Sequence, residues 1–175
     1  MAVEGLLAIL EGSARFWTRD PDGKTLSGFF DPNNPPTIPV GSEFQLIVLS
    51  KNESTQELQA TVAAEVSGPS GPVQLSWSYP PDEPVIIPPR QTGSGRWFGF
   101  VADAPGDYFM RYRVYAMGDL SDSWPDEDKL PLKICTATAP PQPQPWINQL
   151  VNVLAIVVVM VMMGMMFKKF KGGRK

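Results

Sequence analysis

A chain of 175 residues with 15 basic and 18 acidic side chains, one cysteine and no histidine has room for one ordinary domain and an appendage. The missing histidine removes the commonest general base and metal ligand, and the lone Cys135 excludes an internal disulfide. Five of the basic residues follow Phe167 and no acid follows Pro145, so the part before residue 146 holds 10 basic against 18 acidic residues, a net of −8. That balance excludes nucleic acid as its partner, because phosphate binding needs clustered Lys and Arg.

The first residues, MAVEGLLAILEGSARF, contain a short apolar run from Leu6 to Leu10. Glu4 stands where a leader peptide has a basic region and Glu11 closes the run, so a cleavable signal is not expected and a first strand or short helix is. Residues 14–19 and 24–30 flank Asp20-Pro-Asp-Gly23, where Pro presets φ and Gly23 accepts a positive φ; a hairpin is predicted. Residues 31–39 form a Pro/Asn loop. Residues 43–50 (EFQLIVLS) are apolar on both faces, as in a central strand.

Residues 57–66 alternate, with Leu58, Ala60, Val62, Ala64 and Val66 on one face. Residues 73–79 alternate again, with Val73, Leu75, Trp77 and Tyr79 together. Prolines confine residues 80–89 to an edge strand or an extended connection. Residues 96–101 are a strand, and Asp103-Ala-Pro-Gly-Asp107 is a turn. In residues 108–116, Tyr108, Met110, Tyr112 and Val114 face inward and Arg111 and Arg113 outward. Residues 119–129 (DLSDSWPDEDK) read as an acidic loop and residues 130–138 as a last strand, in which Cys135 is a small strand residue or makes an intermolecular disulfide. Seven to nine short strands with turns between them and no long amphipathic helix predict an all-β, antiparallel sandwich.

Two stretches carry a family resemblance: residues 39–53 (PVGSEFQLIVLSKNE) and residues 103–114 (DAPGDYFMRYRV). They resemble immunoglobulin-like β-sandwich domains, the second being similar to the turn and strand of the tyrosine corner. The resemblance implies that Tyr108 is the corner tyrosine, bonding back to nearby backbone. It departs from the antibody pattern where Met110 replaces the cysteine, so Trp77, a candidate core tryptophan, has no disulfide to pack on. The resulting division is a β-sandwich over 1–138, made of an N-terminal strand and hairpin (1–30) and an immunoglobulin-like core (39–138), then a Pro-rich stalk (139–145), a transmembrane helix (146–167) and a basic tail (168–175).

The anchor rests on residues 147–167, INQLVNVLAIVVVMVMMGMMF, which hold no charge. As a helix this stretch is about 31 Å long, matching a hydrocarbon core of roughly 30 Å. Trp146 precedes Ile147 at the headgroup level, and Lys168, Lys169 and Lys171 follow Phe167. Asn148, Asn152, Ala155, Val159, Met162 and Met166 form one helical stripe; it either supports helix association in lipid, or both asparagines sit in interfacial water. The prolines of ATAPPQPQP favour a stiff stalk of roughly 25 Å. The basic tail predicts a cytoplasmic C-terminus and an extracytoplasmic sandwich; a virion membrane is the alternative location.

Catalytic motifs are absent: no G-x-S-x-G, no H-E-x-x-H, no phosphate loop after a strand. No cofactor and no small-molecule substrate are expected. Asp122, Asp126, Glu127 and Asp128 are a weak candidate for Ca²⁺, set against a solvated acidic loop. Asn52-Glu-Ser54 fits the glycan acceptor pattern in a predicted turn. Trp97, Trp124 and the proline-rich 80–89 stretch form a candidate apolar patch, set against packing of loop on sheet. The expected partners are a lipid bilayer and a protein, either another chain or a second copy. The expected role is a non-enzymatic surface for assembly at a cell surface or envelope; the alternative is a viral structural protein anchoring a capsid or spike to a lipid membrane.

Overall fold

The computed structural model describes residues 6–93 and 98–139, with the side chains of residues 74 and 76–78 excepted. The described residues form twelve strands: β1 (Leu7–Arg19), β2 (Thr25–Phe29), β3 (Thr37–Pro39), β4 (Glu43–Asn52), β5 (Leu58–Gly68), β6 (Gly71–Tyr79), β7 (Val85–Ile87), β8 (Thr92–Gly93), β9 (Phe98–Val101), β10 (Gly106–Ala116), β11 (Asp119–Trp124) and β12 (Leu132–Thr138). One sheet runs β2-β1-β4, with β8 and β9 both on the far side of β4. The other runs β3-β12-β10-β5-β6, with β11 sharing an edge of β10 and β7 an edge of β5. The short strands β3, β7 and β8 raise the number above the expected seven to nine. Every pair is antiparallel except β3 with β12, which is parallel; the proline-containing 30–36 connection carries the chain from one sheet to the other.

The two sheets meet over alternate side chains. Phe44, Leu46 and Val48 from β4 and Phe98 and Phe100 from β9 face Tyr108, Met110, Tyr112 and Val114 from β10 and Leu58, Ala60, Val62, Ala64 and Val66 from β5. Phe100 stacks on Tyr108 with centroids 5.0 Å apart, and Phe98 meets Tyr112 edge-on at 5.4 Å. The Tyr112 hydroxyl donates to the Val48 carbonyl at 3.0 Å, satisfying a polar group inside the core across the two sheets.

The N-terminal hairpin is an integral part of this core. Across a bulge between Leu10 and Arg15, β1 pairs with β4 from Leu7↔Asn52 to Arg19↔Glu43, and Leu7, Ile9 and Ala14 are buried. An immunoglobulin-like core confined to 39–138 would leave β4 without this neighbour. The first turn of β1 is also fastened by side chains of β11: the Leu7 N–H donates to Ser121 Oγ at 2.8 Å and the Ile9 N–H to Asp122 Oδ2 at 2.7 Å. At the other end the predicted turn is present. The Gly23 N–H donates to the Asp20 carbonyl and the Lys24 N–H to Asp20 Oδ1, with Gly23 at φ +84°.

Two expectations about alternation fail for local reasons. Leu75 is exposed, not inward: bulges between Val62/Ala63 and Val66/Ser67 shift the register, and Leu75 pairs with the outward Glu65. Residues 119–124 are a strand, not loop, because Met117 and Gly118 both take positive φ (54° and 93°), the two-residue turn that closes an antiparallel hairpin. A methionine is an unfavourable choice there. Met117→Gly is therefore expected to raise stability by about 1 kcal/mol, read as a higher urea midpoint with an unchanged slope.

Candidate functional site: the outer face of β1 and β2

Pairing of β1 with β2 and β4 sets which side chains leave the core. Ala14 and Thr18 point inward, so Arg15, Trp17 and Arg19 lie on the outer face. Arg15 is opposite Phe29 and Trp17 is opposite Ser27 on β2; on β4 the neighbours are Ile47 and Gln45. Together they shape an open groove of about 560 Å³ lined by Arg15, Phe16, Trp17, Ser27, Gly28, Phe29 and Gln45. The Arg15 guanidinium lies 4.6 Å from the Phe29 ring centroid, a cation–π contact that holds the Arg across the groove end. Phe29 is 67% exposed, and all five residues of β2 are exposed.

The groove lining contains no carboxylate, thiol or phenol. Ser27 has no base beside it in that lining, so the groove offers groups that bind and orient. Beside it, among the described residues, β2 pairs on one side only, with β1. Its sequence, TLSGF, has no proline and no charge, and its ladder with β1 has no bulge. Proline, charge and bulges are the devices that normally blunt a sheet edge. The edge β6, by contrast, carries Pro72 and two bulges, and β3 ends on Pro39.

The residues singled out in the sequence fall elsewhere. The four acids proposed for Ca²⁺ do not converge: among the described residues no group of three Cys, Asp or Glu side chains does. Asp122 is engaged by the Ile9 and Ser123 N–H groups. Asp126 pairs with Lys129 at 2.5 Å. Glu127 folds back over the second sheet, 2.6 Å from Arg113 Nε and 3.3 Å from Arg111 Nη1, while Arg113 also reaches Glu65 at 3.0 Å. Arg111 further donates to the Lys129 carbonyl. Cations of the protein itself therefore take the Asp126 and Glu127 carboxylates, and backbone N–H groups take Asp122.

This clasp has a pH signature. Arg113, through its hydrogen bond, and then Arg111 hold the Glu127 carboxyl below its ordinary value, against an opposing desolvation. The unfolded chain thus binds this proton more tightly, so the clasp's contribution is complete above pH about 4.3 and is lost as pH falls through the folded value. Glu127→Gln is expected to lower Tm at pH 7 and to flatten its fall between pH 5 and 3, measured by thermal melts across that range.

Asn52 is fully buried and does not sit in an exposed turn. Its Nδ2, the atom a glycan would occupy, donates to the Gln56 and Ile87 carbonyls at 2.8 and 2.9 Å, and its Oδ1 accepts from the Ser54 N–H at 2.8 Å. The acceptor pattern is here a structural knot, and the glycan reading is corrected. The Tyr108 hydroxyl accepts from the Ala104 N–H at 3.0 Å and donates to Asp103 Oδ1 at 2.8 Å, bridging back across the turn. Desolvation raises the phenol above its ordinary value. Cys135 is buried, and burial pushes its thiol up to about 12, so it is not placed for an intermolecular disulfide. Trp124 is buried edge-on to Phe30 at 6.0 Å, which removes it from the proposed apolar patch. Trp97, the stalk from residue 140, and the anchor and tail residues Trp146, Ile147, Asn148, Asn152, Phe167, Lys168, Lys169 and Lys171 lie outside the described residues; so does the side chain of Trp77. Among the described residues no helix is long and apolar enough to cross a membrane.

The sequence matches no protein-family model and no curated protein. The fold is similar to the C-terminal domain of wzt (TM-score 0.47, 13% identity, 77% of this chain and 75% of that chain). It is also similar to part of a β-glucuronidase of glycoside hydrolase family 2 (0.38, 13%, 47% and 9%). A third likeness is to the CARDB domain of a Pyrococcus furiosus protein solved with di-metal ions (0.38, 11%, 59% and 81%). These are likenesses of β-rich architecture. The residues that sequence reasoning missed, Arg15, Ser27 and Phe29, had one usable signal: an uncharged, proline-free strand beside a tight turn.

Proposed function

We propose that this chain is a non-enzymatic, membrane-anchored immunoglobulin-like β-sandwich that presents a surface for protein–protein assembly at a cell surface or envelope. The observation that carries the reading is the β2 edge: five exposed residues without proline, charge or bulge, adjoining an aromatic groove. An unprotected edge invites another strand, and a domain that kept one exposed without use would aggregate. The anchor half of the reading rests on the charge-free 147–167 stretch between Trp146 and the basic tail. The domain's net negative charge suits a position held off an anionic leaflet.

A photoreactive phenylalanine analogue at position 29 tests the assembly reading in intact membranes. A protein adduct from position 29 and none from position 130, a still more exposed loop site, is expected. Adducts to lipid or small molecules alone, or equal capture at both positions, would reject it.

A further inference from the structure

We infer that the strand which covers the β2 edge is β2 of a second copy, paired antiparallel about a two-fold axis at Ser27. This rests on the reading of that edge as an assembly surface and names its partner. The hydrogen-bond phase of β2 is fixed by its two ends. The Phe30 N–H donates to the Ala14 carbonyl and the Asp20 N–H to the Lys24 carbonyl, both at 2.9 Å. Even-numbered residues of β2 therefore bond to β1, and the N–H and C=O groups of Thr25, Ser27 and Phe29 point to the open edge.

A two-fold centred on Ser27 aligns Thr25 with Phe29 of the second copy, Ser27 with Ser27, and Phe29 with Thr25. All three pairs are then hydrogen-bonded pairs exchanging two bonds each, about six in total, and no open group of either edge is left over. A register shifted by one residue sets outward groups against inward ones; a shift by two strands a pair at each end. Side chains fit the same register. On the outer face an aromatic meets a β-branched residue, Phe29 with Thr25, a favourable cross-strand pair. On the inner face Leu26, 53% exposed, comes opposite Gly28. A side chain on Gly28 would meet Phe16 at 3.5 Å; its absence leaves that ring open to the neighbour's Leu26. An isologous pairing of this kind closes as a dimer and joins two sheets into one.

The test uses the full chain in phosphatidylcholine vesicles, because a five-residue edge makes a small, weak interface in dilute solution. Buried Cys135 leaves the wild type a silent background. Ser27→Cys should form a disulfide dimer under mild oxidation roughly tenfold or more faster than Leu130→Cys or Leu26→Cys, since facing residues of a hydrogen-bonded pair stand about 5.5 Å apart at Cα. Mixing Leu26→Cys with Gly28→Cys chains should give the mixed dimer. Ser27→Pro and Thr25→Lys, both compatible with an edge strand, should each abolish the proximity, read as loss of energy transfer between labelled copies. Equal rates at positions 27, 26 and 130, or energy transfer unchanged in both edge variants, would overturn the inference. Capture from position 29 of a different protein only would overturn self-pairing while leaving the assembly reading in place; no protein capture at all would remove both.

Discussion

Asn52→Ala is expected to cost about 3 kcal/mol and to lower Tm by roughly 10 °C. The amide ties the end of β4 to the chain before β5 and to the end of β7: its two donors go to the Gln56 and Ile87 carbonyls and its oxygen takes the Ser54 N–H, with Asn52 itself fully buried. Removing it orphans the buried Ile87 carbonyl, where desolvation is no longer compensated, and takes a partner from the Ser54 N–H, while the Gln56 carbonyl keeps the Ser54 hydroxyl at 2.8 Å. Asn52→Asp is expected to be worse than alanine, because a carboxylate oxygen would then face two carbonyl oxygens. Chemical denaturation of the full chain in micelles checks both; a loss below 1 kcal/mol for the alanine variant would show that the fold does not depend on the knot. The same geometry predicts that the folded protein keeps an unmodified Asn52 mass in a glycosylating host.

Tyr108→Phe is expected to cost about 2 kcal/mol while leaving the ring stack with Phe100 in place. The hydroxyl is the only part removed, and it accepts from the Ala104 N–H and donates to Asp103 at the turn between β9 and β10. The interaction is coupled: Asp103→Ala should cost clearly less in the Tyr108→Phe background than in the wild type, a double-mutant cycle that a purely steric role of the ring would leave additive. Tight packing reinforces the position, since a side chain on Gly68 would stand 2.6 Å from the Tyr108 ring. Gly68→Ala is thus expected to disturb the same corner.

Much of this architecture is legible in the residues because its signals are local. Asp20-Pro-Asp-Gly23 dictates its turn by φ preference, and strict alternation placed Tyr108, Met110, Tyr112 and Val114 inward with Arg111 and Arg113 outward, as found. The failures arise where a partner strand decides. Bulges in the β5–β6 ladder turned Leu75 out, and no pattern within 73–79 reports the register of a neighbour. Asn52-Glu-Ser54 carries an acceptor pattern whose meaning depends on the Ile87 carbonyl, 35 residues away. The acids of 119–129 look free until Arg111 and Arg113 are seen beneath Glu127. The β1–β2 face was the least visible: an edge is defined by the strand that is missing beside it, and a groove by residues 10 to 28 positions apart meeting across a ladder.

Fastening to a membrane, with the β-sandwich displayed opposite the basic tail, is tested most directly by protease treatment of sealed, right-side-out membranes holding the full chain with an epitope after Lys175. Release of the β-sandwich from outside is predicted, with the epitope protected and its fragment resistant to carbonate extraction. Digestion of the epitope with the sandwich protected, or removal of the intact chain by carbonate, would contradict it.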